Sequence, residues 1–276
     1  MIEQPPAGHE GYLLDNRQRE AATRFDAFAR LFDPWTFTQL ERLGLGPGDR
    51  CWEIGAGGPS VPRGLAARVG ATGRVLATDL DVSLLRDLAT PGPDGAGRIE
   101  VRRHDIAHDP VPDEQFDVVH ARLVLVHVPQ REAALRAMVS ALRPGGWLLV
   151  EDADPALQPL LCLDERGPEQ QLANRLRRGF RTLMAGRGAD LAFGRRLPRL
   201  LRGAGLLDVA AEAYFPVTSP ACDVLEAATV EQIRGRLVEE GLATDDELDR
   251  HLAAVRAGRL DLSTSPLISA WGRRPG

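Results

Sequence analysis

An acid, a pair of glycines and a second acid define the chemistry open to this chain. Glu53, Gly55 and Gly57 lie in "CWEIGAGG" (Cys51 to Gly58), and Asp79 follows in "VLATDLD", 24 residues after Gly55. An apolar run that enters a glycine turn, passes into a helix and returns as a second run ending in an acid builds a nucleoside pocket at the carboxyl edge of a parallel sheet. Gly55 and Gly57 let backbone approach a ligand where a Cβ would collide. Asp79 stands where a carboxylate accepts hydrogen bonds from both ribose hydroxyls.

The glycine spacing separates two cofactor classes. A dinucleotide turn reads G-x-G-x-x-G and keeps a helix N-terminus open for a pyrophosphate. Here the third position is Ser60 and Pro59 crowds the turn, so NAD and FAD are disfavoured and a nicotinamide oxidoreductase is the remote alternative. The "ExGxGG" pattern instead resembles motif I of the class I S-adenosylmethionine-dependent methyltransferases. That resemblance implies that Glu53, Gly55, Ala56 and Gly57 surround the methionyl part of S-adenosyl-L-methionine. It also implies that Asp79 holds the ribose with Leu80 beside it, and that S-adenosyl-L-homocysteine is the product.

Later motifs follow in that family's order. "IEVRRHDIAH" reads as a third strand ending near Asp105; by resemblance Asp105 accepts from the adenine amino group and Ile106 packs on the ring. "FDVVHARLVLVHVP" opens as a fourth strand, Phe116 to His120, with His120 and His127 flanking the loop after it. His120 also counts among the expected cofactor residues. "ALRPGGWLLVED" is a helix end, a Gly145–Gly146 turn and a fifth strand. The match spans Leu43 to Asp152, and "VLVHVP" with the RPGG strand is similar to the ubiquinone/menaquinone-type branch.

The family's donor carries an activated methyl group, so the protein's main task is to align an acceptor atom about 3 Å behind it in a desolvated pocket. A hydroxyl, amide or indole-type carbon must also lose a proton, and by position Tyr12, His120 and His127 are the candidate bases. An N-terminal tyrosine such as Tyr12 often closes over the cofactor or acceptor in related enzymes. Catechol-type relatives add magnesium on acids after strands four and five. "HAR" follows strand four here, so no metal is expected, with Glu151, Asp152 and Asp154 the counter-signal. The arginine run Arg175, Arg177, Arg178, Arg181 reads as the solvated face of a helix.

These residues need an α/β frame. Residues 1–42 read as an N-terminal helical arm: Ala21, Phe25, Phe28 and Phe32 recur at helical spacing, with Asp15 as N-cap. Residues 43–154 alternate strand and helix, which builds a parallel sheet covered on both faces. Residues 155–193 carry a helix with Leu172, Leu176, Phe180, Leu183 and Met184 on one stripe, a substrate-covering insertion by the family pattern. Residues 194–276 supply a helix near Arg195, the strand "VAAEAYFPV", two further helices and the strand "SPLISAWGRR". The expected fold is therefore a doubly wound, Rossmann-like sheet of seven strands, its last strand antiparallel, with a helical arm and a helical lid.

Composition fits an enzyme of the cytoplasm. No apolar run approaches the ~18 residues of a membrane span, and no signal sequence opens the chain. Cys51, Cys162 and Cys222 are odd in number and far apart, which suggests neither disulfides nor zinc. A net charge of −5 argues against nucleic acid as partner. Paired exposed helices in the C-terminal third leave a homodimer open. The expected function is metal-independent methyl transfer to carbon, nitrogen or oxygen of a small aromatic or heterocyclic natural product: an indole, cyclodipeptide, quinone or polyketide. The alternative is a protein of this fold that catalyses a non-methylating step such as a cyclisation.

Overall fold

The computed structural model describes residues 19–89 and 96–276. Tyr12 and Asp15, and most of the loop expected at Thr90 to Arg98, lie outside the described residues. Seven strands form one sheet: β1 (Arg50–Ile54), β2 (Arg74–Asp79), β3 (Arg98–Arg103), β4 (Phe116–Arg122), β5 (Leu142–Ala153), β6 (Leu207–Tyr214) and β7 (Leu267–Arg273). Their order is β3-β2-β1-β4-β5-β7-β6. The first five are parallel, and β7 runs antiparallel between β5 and β6. The strand order reverses beside β1, which is where the glycine turn sits and where this architecture places ligands.

Strand alternation sorts the two faces. Trp52, Ile54, Val119, Ala121, Leu148 and Val150 point one way, into α3 (Arg131–Ala141) and α5 (Leu197–Gly203). Cys51, Val75, Val118 and Leu149 point the other way, into α2 (Ser60–Val69) and the end of α1 (Arg19–Arg42) through Phe37 and Leu40. Between β2 and β3 the described chain forms only a short 3-10 turn, Ser83–Ala89.

Three helices after β5 pack on one another. Helices α4 (Pro168–Gly186), α6 (Pro220–Glu239) and α7 (Asp245–Arg256) share a core of Leu176, Leu183, Ile233, Leu237, Leu248 and Leu252. Leu176 and Leu183 belong to the expected stripe, and Phe180 and Leu172 flank it half-buried. The arginine run is more committed than a solvated face. Arg175 pairs with Glu247 at 2.9 Å and Arg177 with buried Glu226 at 3.2 Å.

A capping box fixes the start of α7. Thr244 Oγ1 accepts from the Glu247 amide, and Glu247 Oε2 accepts from the Thr244 amide at 3.0 Å. Thr244→Ala is expected to cost about 1 kcal/mol, measured by urea unfolding. An unchanged midpoint would show that α7 is held by its packing alone.

Candidate active site

Four adjacent strands put one polar row on the face that α1 crosses. Glu53 of β1 is in register with His120 of β4, and Glu151 of β5 with Ser269 of β7. His120 therefore does not stand beside a loop, because β4 runs on through Arg122 and the ring is fully buried inside the sheet. Its Nδ1 meets Glu53 Oε2 at 2.5 Å and its Nε2 meets Glu151 Oε2 at 3.2 Å. Burial alone would lower the His120 pKa, but the two carboxylates outweigh it and push it up to about 9. Its protonated form is therefore spoken for on both nitrogens, which is a poor setting for a general base.

The same row reaches into α1. Thr36 Oγ1 donates to Glu151 Oε2, Ser269 Oγ donates to Glu151 Oε1, and Trp35 Nε1 donates to Ser269 Oγ at 2.8 Å. Arg122 joins from β4, donating to Thr36 Oγ1 at 2.9 Å and to Asp33 Oδ1 at 2.8 Å. Burial alone would raise Glu151, yet His120, Arg122 and Ser269 hold its carboxyl below the usual range. Glu53 moves the other way, because burial exceeds the help it receives from His120.

Above this row lies the glycine turn. Gly55 and Gly57 take φ of +63° and +62°, a region that disfavours any side chain. A Cβ on Gly55 would strike the Val124 side chain, and one on Gly57 would strike the Phe25 ring of α1. The arm therefore lies directly over the turn. Asp79 ends β2 and holds the turn from the side, its Oδ2 accepting from the Gly57 amide at 2.8 Å and its Oδ1 from the Asp81 amide at 3.0 Å. Burial raises the Asp79 carboxyl, with those amides opposing. Leu80, next along, keeps 42% of its surface exposed, unusual for so large an apolar side chain in this protein.

Other expected residues scatter more widely. Asp105 lies past the end of β3, where the His108 ring and the Ala107 amide outweigh burial and hold its carboxyl low. Ile106 is buried in the same core cluster as Trp52. His127 closes a 3-10 turn after β4 and keeps exposed surface. Its inner side is crowded, and this desolvation, with the Arg24 and Arg131 charges, brings its pKa down to about 4. Glu151, Asp152 and Asp154 do not converge. Glu151 faces α1, Asp152 is buried beside the Val126 and Leu125 amides, and Asp154 is clasped by Arg195 at 2.6 and 2.7 Å. Among the described residues no group of three or more His, Cys, Asp or Glu is placed to hold a metal.

Residues 52–150 match the family described as "Methyltransferase domain". They span the strand, glycine turn, acid and fifth strand whose geometry is given above. The core of this chain is a class I, S-adenosylmethionine-dependent methyltransferase domain. The methyltransferase core is 37% identical over 132 residues to the ubiquinone/menaquinone biosynthesis C-methyltransferase of Ectopseudomonas mendocina, a match covering 46% of this chain and 51% of that one. The homologue from Chromobacterium violaceum is 33% identical over 126 residues, covering 46% and 52%. The chain thus spans about half the length of the curated relatives it matches. Among solved structures, phosphoethanolamine N-methyltransferase 2 of Haemonchus contortus superposes with a TM-score of 0.58 at 16% identity, covering 96% of this chain and 59% of that one. A protein from Bacillus halodurans gives 0.52 at 16% identity over 87% and 98%. At such identities these two structures establish the fold alone.

Sequence reasoning found the glycine turn and its acids because each sits in a short motif. It did not find Thr36, Trp35, Arg122 or Ser269, which come from three separate elements, α1, β4 and β7. The available signal was a polar residue at an inward position of an otherwise apolar strand, as with His120 in "FDVVHAR" and Ser269 in "LISAWGR".

Proposed function

We propose that this protein transfers a methyl group from S-adenosyl-L-methionine to a small, flat, largely apolar acceptor. The observation that carries the reading is the set of groups around the glycine turn. Glu53 spends Oε2 on His120, and its Oε1 has no partner among the described residues. That oxygen suits the cofactor's ammonium. Each Asp79 oxygen accepts one amide and keeps a lone pair for a ribose hydroxyl. Leu80 offers the exposed apolar surface that a nucleoside would cover.

When bound, the cofactor supplies an electrophilic methyl. The chain's own part is alignment and exclusion of water, worth on the order of 7–11 kcal/mol when the reacting atoms are well placed. Phe28, Phe32, Trp35 and Tyr214 form a connected aromatic group between α1 and the end of β6, with Trp35 and Tyr214 stacked at 5.1 Å and 9°. Such faces suit a planar ring, in keeping with a quinone, indole or other heterocycle. Where a proton must leave, His127 is the better-placed histidine: it is neutral at pH 7 and reaches solvent, whereas His120 is enclosed. Tyr12 stays a candidate from the sequence.

Two assays test this. S-adenosylhomocysteine is expected to bind in calorimetry and NADH is not; binding of NADH alone would defeat the cofactor assignment. Labelled methyl is expected to pass to at least one member of a panel of quinones, indoles and cyclodipeptides, with or without EDTA. Activity lost to EDTA and restored by magnesium would overturn the metal-independent reading.

A further inference from the structure

Among the described residues no backbone amide holds the Glu53 carboxylate. The one group among the described residues that bonds it is the His120 ring at 2.5 Å. The far side of that ring meets Glu151, and Glu151 in turn takes the Thr36 hydroxyl of α1 and the Ser269 hydroxyl to which Trp35 of α1 also donates. The helix that supplies Thr36 and Trp35 also lays Phe25 on Gly57.

We propose that His120 is a positioning residue: one ring nitrogen holds Glu53 so that its free oxygen meets the cofactor's ammonium, and the other links that contact, through Glu151, to the seating of α1. The proposal rests on the methyl-donor reading above. The charged groups facing the ring are Glu53 from β1, Glu151 from β5 and Arg122 from β4, the last paired with Asp33 of α1. Only the imidazolium donates from both nitrogens; a neutral ring must release one partner. The two carboxylates keep it charged up to about pH 9.

Asparagine and glutamine separate the two links. The amide nitrogen of His120→Asn stands near the Nδ1 position and can still hold Glu53. That of His120→Gln reaches the Nε2 position and serves Glu151. With the full chain and S-adenosylhomocysteine in calorimetry at about pH 7.5, His120→Gln is expected to bind about tenfold more weakly and His120→Asn within about threefold of the parent. In hydrogen exchange, the ligand is expected to slow the amides of residues 22–42 in the parent and to lose that effect in His120→Asn. Equal loss of affinity in both variants, or parent affinity in His120→Gln, would overturn the proposal. If neither variant folds, the parent decides it. Its affinity should fall through about pH 9 with more than the one proton that the ligand's own ammonium loses there, and a one-proton profile refutes the role. A parent that binds no S-adenosylhomocysteine at any pH overturns the cofactor reading itself, and this inference with it.

Discussion

Glu151→Ala is expected to remove about 3–5 kcal/mol of folding stability, because it breaks a buried ion pair from one side. The carboxylate is fully buried and accepts from Thr36 and Ser269 while facing His120. Alanine leaves two buried hydroxyls short of an acceptor and a buried imidazolium with one carboxylate instead of two. Glu151→Gln keeps the shape and one acceptor oxygen, so it should cost less than alanine. The pH dependence gives a second readout. His120 titrates near 9 folded against 6.5 unfolded, so its contribution is complete below about pH 6.5 and is lost as pH rises through about 9. Glu151, held low, contributes above its ordinary 4.5, and that contribution is lost as pH falls through its depressed folded value. Glu53, held high, adds an opposing slope just above pH 4.5. In Glu151→Ala the high-pH loss should move toward neutrality, since one of the two carboxylates that raise His120 is gone. Urea unfolding of parent and variant at about pH 6.5 and 9 measures both effects. A variant as stable as the parent at pH 6.5 would mean that the polar row contributes no stability.

Most of the sheet was legible in the sequence because each parallel strand is a short apolar run with its own boundary signal. "CWEI" ends in a glycine, "RVLATD" in an acid, and "WLLV" follows a glycine pair. The antiparallel entry of β7 came through the family resemblance, since nothing local to "LISAWGR" sets its direction. The extent of β4 was misjudged for a physical reason. His120 and Arg122 are polar, and a polar residue normally ends a buried strand; here partners on β1, β5 and α1 neutralise both. Motifs report residues that act together within one turn of chain. They are silent on Thr36 and Ser269, which are separated by most of the sequence and meet only because Glu151 lies between them. The run "EDAD" is a counter-signal of the opposite kind. Three acids close in sequence stand against the expectation of no metal, but strand alternation sends Glu151 and Asp152 to opposite faces.

Asp79→Ala is expected to weaken S-adenosylhomocysteine binding by roughly 5- to 150-fold, the 1–3 kcal/mol of lost charge-assisted hydrogen bonds. Loss of affinity alone would not identify the cause. Asp79 also fastens the Gly57 and Asp81 amides, so its removal loosens the turn as well as stripping the ribose site. Asparagine is no cleaner a change, since its NH2 must face one of those two amides, donor against donor. The ligand can be altered instead. If the carboxylate grips the ribose, the parent should bind S-adenosylhomocysteine more tightly than its 2′,3′-dideoxy analogue, and Asp79→Ala should bind the two alike. This double-mutant cycle across the protein and its ligand cancels damage to the turn, which weakens both ligands equally. Discrimination that survives the substitution would place the ribose contact elsewhere and reduce Asp79 to a brace for the glycine turn.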